Sequence, residues 1–382
     1  MLFDNNWVFL GKAELDTQNR QQQVYAGPEL QDGLPAFYQP SFRPVGREGA
    51  RPVFTAEVQA DIWQHQNPPS CDGRKYLRLQ PHTQGGLGSL LHVTTAAIAY
   101  AMQQNAILVY HKDYGATLSH GSFCPAHSRS LNCFFMPLSN CSAYMADAEM
   151  PGLPVYKVGR RRLDVPKKWR QRWADTRQKG DLLYWWRAQA VAYVTRLNPQ
   201  TSRELISRRR AHAAAGTVPL PLPNDTVSVH VRHGDKGAEM ALRSWQEHKT
   251  RADELAKARR FRGRTAFLST EDPEVVKEAH ADGTWDILVL PYRRDNGDFA
   301  QMAELGVSDD LVLFSLENLF IALEATHFLG TRGSNWNRLI DELRMVWPGD
   351  SRSCCAPYAE VGCDPPQNLE DSQATCDTFE NW

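Results

Sequence analysis

Arg232, His233, Asp235, Lys236 and Glu239 crowd into one short stretch, VSVHVRHGDKGAEM over residues 227–240. An arginine fork offers a phosphate two charge-assisted hydrogen bonds, each contributing about 1.5–3 kcal/mol. A carboxylate held near an alcohol can take its proton as the alcohol attacks, for about 10²–10⁴ in rate. A histidine beside an arginine admits two chemistries. It can itself attack a phosphoryl group, or it can stand by while the arginine holds a diphosphate. The residues before it say where that chemistry would sit. Val227, Val229 and Val231 alternate as in a strand. The charged residues therefore occupy the loop at the strand's C-terminal end, where open α/β sheets hold ligands.

Elements around this loop repeat the same grammar. A strand at TAFLST ends on Glu271 and Asp272, with Asp272 placed to cap a helix that starts at Pro273 and stops before Gly283. WDILVLPY reads as a third strand, DDLVLFSLENLFIALEA as a helix with Leu316, Leu319, Phe320 and Leu323 on one face, and THFLGT as a further strand. GTRGSNWNR then brings Thr331 and Ser334 to a helix N-terminus, where free amides and the dipole favour an anion. Strands alternating with helices argue a doubly wound, Rossmann-like parallel sheet. Upstream, Gly85, Gly86 and Gly88 stand between the strand KYLRL and an apolar helix expected from about Leu90, followed by the strand ILVY. LLYWWRAQAVAYVTRL reads as a helix with Trp185 and Trp186 in the core, and GTVPLPLPNDT as an interdomain linker. The expected division is an irregular lead-in over 1–60, an α/β acceptor-side domain over 61–215, a nucleotide-binding domain over 216–349 and a cysteine-bearing tail over 350–382.

At 382 residues the chain suits two domains. A net charge of −1 excludes global attraction to nucleic acid or anionic lipid. Its basic clusters, KVGRRRLDVPKKWRQRW (157–173) and SRRRAH (207–212), read as solvated helix faces. Eight cysteines fall in two groups of four, Cys71 to Cys141 and Cys354 to Cys376, which suggests disulfides and an oxidising lumen. Two sequons, at Asn140 and Asn224, lean the same way. No apolar run is long enough to span a membrane, and Met1 opens no signal peptide, so a membrane anchor is expected to precede this sequence.

Five segments, in order, resemble the α-1,6-fucosyltransferases and their protein-O-fucosyltransferase relatives. GGLGSLLHVTTAAIAYAMQQNAILVY is similar to the family's glycine turn and following helix, and WWRAQAVAYVTR to its paired-tryptophan helix. The stretch from Val227, FLSTEDPEVVKEA and LENLFIALEATHFLGTRGSNWNR resemble its three motifs. The resemblance implies a GT-B-like fold of two α/β domains facing a cleft. It implies GDP-fucose as donor, no metal or other cofactor, and inverting transfer to a glycan hydroxyl. The acceptor implied is the 6-OH of N-acetylglucosamine in an N-glycan or chitooligosaccharide, and the compartment the Golgi lumen. By position, Arg232 would hold the β-phosphate with Tyr114, Thr331, Ser334 and His233 nearby, while His230 and Glu317 would contact the guanosine. Asp235 and Lys236 would shape the catalytic loop, Glu239 would be the general base, and Glu271 and Asp272 would orient sugar hydroxyls.

The sequence departs from that family in three places. His233 stands where a second arginine is usual. Glu239 lies one residue closer to the lysine than in the animal core-fucosylating enzymes. A short cysteine-bearing tail follows Pro348 in place of their SH3-like domain, which the bacterial chitooligosaccharide-fucosylating members also lack. Two rivals stay open: a catalytically inactive GDP-sugar or glycan-binding protein, and a histidine phosphatase with His233 as nucleophile. The phosphatase reading needs His280 or His327 as partner and leaves the N-terminal helix–strand unit without a role.

Overall fold

The computed structural model describes residues 54–80, 85–141, 155–156, 164–176, 182–238, 240–292, 294, 299–346 and 358–361. Its first half holds helices α1 (Thr55–Gln66), α2 (Leu87–Gln103), α3 (Lys167–Ala174), α4 (Leu182–Val194) and α5 (Pro199–Ala215). Strands β1 (Lys75–Leu79), β2 (Ala106–Tyr110) and β3 (Val155–Tyr156) form a parallel sheet in the order β2-β1-β3. Helix α1 takes in the last residues of the expected lead-in, because Val58 and Ile62 on one face are wholly buried in the core. Trp185 and Trp186 are buried completely and act as core aromatics rather than as a sugar platform. Two disulfides, Cys71–Cys141 and Cys124–Cys133, tie this half together and mark a protein that folds in an oxidising compartment. The four C-terminal cysteines lie outside the described residues, as do residues 1–53.

The second half is a five-stranded parallel sheet of β4 (Val227–Val231), β5 (Thr265–Thr270), β6 (Asp286–Leu288), β7 (His327–Gly330) and β8 (Tyr358–Glu360). Their order is β6-β5-β4-β7-β8, the Rossmann-like 3-2-1-4-5 arrangement. Alternation along β4 decides which helices cover which face. Val227, Val229 and Val231 pack with Ala266, Leu268 and Leu329 against α6 (Trp245–Arg259) and α7 (Pro273–Asp282). Phe267 and Phe328 point the other way, into the core shared with α9 (Ser308–Ala322) and α10 (Asn335–Val346). The remaining helix, α8 (Phe299–Glu304), precedes α9. Helix starts follow the sequence signals. Asp272 accepts the Glu274 amide at 2.8 Å ahead of Pro273, and Gly283 ends α7 at φ +66°. Ser244 and Glu247 form a reciprocal capping box on α6.

Two features depart from expectation. The tail contributes a strand, since β8 pairs parallel with β7 through Leu329 and Ala359. The 207–212 cluster is solvated only in part, at Ser207, Arg210 and Ala211. Arg208 reaches Asp310 at 2.5 Å and Glu204 at 2.8 Å, and Arg209 pairs with the buried Glu324. These charges dock α5 onto α9 and leave little field for a distant ligand. Of the other cluster, Lys168 and the indole N–H of Trp169 both bond Asp61 on α1. Helix α10 belongs to the second sheet by sequence, yet it packs against α2 and α4 of the first half. The two halves therefore share one hydrophobic core.

Candidate active site at the switch point

In a 3-2-1-4-5 sheet the chain reverses direction of winding between its first and fourth strands, here β4 and β7, and a crevice opens at their C-terminal ends. Arg232 and His233 leave β4 at that point, Glu271 and Asp272 leave β5 beside them, and Thr331 and Ser334 leave β7. Gly330 is required there. A Cβ on it would lie 1.9 Å from Asn337 Oδ1 and 3.0 Å from the His230 carbonyl oxygen. A second helix meets this place from the first half. Gly86 precedes α2 without any side-chain cap, and a Cβ on Gly88 would press within 3.1 Å of the Trp336 amide. Asn335 donates to Ser89 Oγ at 2.7 Å, and its Oδ1 lies 3.1 Å from the His92 ring. Two helix N-termini, those of α2 and α10, thus converge on the crevice. Each brings free amides and a positive dipole end, which suits a multiply charged anion.

The charged residues are already organised. Arg232 pairs with Glu271, and Glu271 also accepts the His233 backbone N–H at 2.7 Å. His233 Nδ1 lies 2.7 Å from Asp272 Oδ2, and its Nε2 lies 2.9 Å from the Arg243 carbonyl. Both ring nitrogens face acceptors, which only a ring protonated at both satisfies. Partial burial opposes that charge, but the Arg243 carbonyl and the Asp272 carboxylate outweigh it and raise the histidine's pKa. Burial likewise works against the Asp272 charge, and His233 with the α7 amides more than reverses it, so its pKa is lowered. With both ring nitrogens engaged, neither stands open to a phosphoryl group as a phosphatase nucleophile would. Lys236 is buried in a short 3-10 turn over Gly234–Ala238, its backbone N–H donating to the His233 carbonyl. Glu239 and the Asp235 side chain lie outside the described residues.

Other expected site residues separate into those the crevice keeps and those it does not. His230 is 4% exposed on β4, and burial, then the Arg232 charge, pushes its pKa down to about 3. It is a neutral ring, able to meet a base edge and not a phosphate. Thr331 is buried, and among the described residues nothing bonds its hydroxyl. Ser334 is buried too, with its Oγ 3.5 Å from the Asn337 amide as a loose cap on α10.

Tyr114 is a correction. Its ring is wholly buried, stacked 4.8 Å from Tyr110, and its hydroxyl donates to the Leu90 carbonyl at 2.9 Å. It supports the first turn of α2 from behind and does not reach the crevice. Glu317 is the second correction. It is 4% exposed and turns toward α5, 3.2 Å from His212 Nε2. The next residue, Asn318, lies instead within 3.3 Å of Ser269 near the end of β5, opposite His230. Asn318, Ser269, Ser89 and Asn335 had no sequence signal beyond their place beside the motifs.

Glu317 carries a measurable consequence. Burial pushes its pKa up to about 7 from an ordinary 4.5, while burial and then Arg208 lower that of His212. A raised carboxyl pKa gives stability that is full below about pH 4.5 and is lost as pH rises through 7. Glu317→Gln keeps the neutral form throughout. At pH 8 it is expected to be more stable than the parent by about 1–3 kcal/mol, with the gap closing toward pH 4.5. Denaturant melts across that range check it, and equal or lower stability of the variant at pH 8 refutes it.

Fold and site together define an α/β protein of two parallel sheets, with a charged crevice at the switch point of the larger one. In sequence the chain is similar to an α-1,6-fucosyltransferase. It is 27% identical over 239 residues to the alpha-(1,6)-fucosyltransferase of Drosophila melanogaster, covering 58% of this chain and 36% of the fly enzyme. The chain therefore spans roughly a third of the length of that relative. No family model matches it. Among solved structures, fucosyltransferase NodZ from Bradyrhizobium superposes with a TM-score of 0.38 at 14% identity, over 70% of this chain and 92% of that one. POFUT1 in complex with GDP does so with a TM-score of 0.39 at 12% identity, over 75% and 98%. Superposition at that level decides nothing by itself.

Proposed function

We propose that this chain is an inverting fucosyltransferase that moves fucose from GDP-fucose to a glycan hydroxyl. The acceptor is the 6-OH of N-acetylglucosamine in an N-glycan or chitooligosaccharide, the compartment is the Golgi lumen, and no metal takes part. The observation that carries this reading is that Arg232 leaves β4 at the switch point, where the N-termini of α2 and α10 meet. A leaving diphosphate gains charge as its bond to the sugar breaks, and fixed donors aimed at it lower the barrier. In the reaction the acceptor oxygen attacks fucose C1, and the C1–O bond to the β-phosphate breaks with its electron pair going to GDP. The acceptor proton passes to a carboxylate, for which Glu239 is the candidate. His230, Ser269 and Asn318 share one face beside β4 and β5 and offer neutral groups to the guanosine. Thr331 and Ser334 would meet the diphosphate from β7, while Asp235 and Lys236 shape the loop.

The test is mass spectrometry of products from purified protein, GDP-fucose, chelator and a panel of acceptors. The panel holds chitooligosaccharides, an N-acetylglucosamine-terminated N-glycan and an acceptor-free control. One added deoxyhexose on a single acceptor class is the expected result. GDP binding with no product on any acceptor would make the chain a GDP-sugar-binding protein. Absence of GDP binding would overturn the reading altogether.

A further inference from the structure

Within this reading of the site, the departure at position 233 has a physical role of its own. His233 begins the 233–243 loop and touches both its far end and the neighbouring helix. Its ring bridges the Arg243 carbonyl, just ahead of the Ser244 cap of α6, and the Asp272 carboxylate that caps α7. Its backbone N–H is held by Glu271, which also holds Arg232. The groups facing the ring are therefore Asp272 and Glu271 after β5, the Arg243 carbonyl and His248 from α6, with Arg232 the preceding residue in the chain. His248 is buried, and desolvation lowers its pKa to about 4, so it stays neutral and adds no positive charge. Only a ring protonated at both nitrogens satisfies both acceptors.

We propose that His233 is a positioning residue: as an imidazolium it clasps the two ends of the 233–243 loop to each other and to Asp272, fixing the Lys236 turn at the mouth of the crevice. Loss of one ring proton leaves either the Arg243 carbonyl or Asp272 without its donor and lets the loop open. An arginine at this position would hold its charge at every pH. The histidine makes loop closure depend on an acidic to neutral compartment. The clasp is complete between the depressed titration of Asp272 and the raised titration of His233, and it weakens as pH climbs beyond the latter.

Amide hydrogen exchange of residues 233–243, corrected for intrinsic rates, reads the clasp without any turnover. Parent protein is expected to lose loop protection at least 5-fold between pH 6 and pH 8.5. His233→Arg should hold protection level across that range, and His233→Asn should lack it even at pH 6. GDP-fucose turnover, where measured, should fall with the same midpoint in the parent and not in His233→Arg. Protection that is independent of pH in the parent, or unchanged in His233→Asn, overturns the clasp. Protection that follows pH with no turnover at any pH supports the clasp and counts against the transferase instead.

Discussion

Arg232→Ala is expected to lose GDP and GDP-fucose affinity by about 10²–10⁴-fold, the equivalent of two charge-assisted hydrogen bonds. The structure makes the loss larger than that of one contact. Arg232 lies against Glu271, and Glu271 in turn accepts the His233 amide. Without the guanidinium, the Glu271 carboxylate faces the diphosphate site uncompensated and repels the ligand. Arg232→Lys should recover only part of the affinity, because a point charge cannot serve Glu271 and a phosphate with a planar fork. Glu271→Gln separates the two contributions. If Arg232 acts on the ligand directly, Arg232→Ala remains severe in the Glu271→Gln background; if it only neutralises Glu271, the double variant binds almost as the parent does. Titration calorimetry with GDP decides, and binding by Arg232→Ala within threefold of the parent would show that Arg232 does not hold the phosphate.

The crevice was legible because strand alternation and the loops after it are local signals. VSVHV states which residues share a face, and the structure puts the three valines in one cluster and His230 on the opposite side. What stayed illegible depends on which side of a fully buried element a residue takes. Helix α9 lies between the sheet and α5, so Glu317 and Asn318 are both buried, and periodicity cannot say which turns toward the strands. Tyr114 follows β2 as a loop residue facing a ligand would, but the chain folds back over α2 and the ring fills the core. Strand β8 is three residues long within the tail and is defined only by its partner β7, distant in sequence. The fate of Arg208 and Arg209 needed Asp310 of α9 and Glu324 just after it, which no local pattern pairs with them.

Glu239→Gln should keep GDP binding within a few-fold of the parent and lower transfer by about 10²–10⁴-fold, the usual worth of a positioned base. A general base needs free lone pairs and ordinary basicity. Asp272 has given one oxygen to His233 and the other to the Glu274 amide, and its pKa is lowered by those partners. Glu271 holds both Arg232 and the His233 amide through Oε1 and lies beside the guanidinium, so its charge serves that pair rather than basicity. Each is already committed to holding the loop and the arginine, and protonating either would release them. Asp235 and Glu239 are the carboxylates of the loop sequence itself. Glutamine preserves the shape of Glu239 and removes only the proton acceptor, so a fall in kcat with KM for GDP-fucose nearly unchanged is the signature of the base. The acidic limb of the pH–rate profile should disappear with it. Full transfer by Glu239→Gln, together with a fall of that size in Asp235→Asn, would move the base to Asp235.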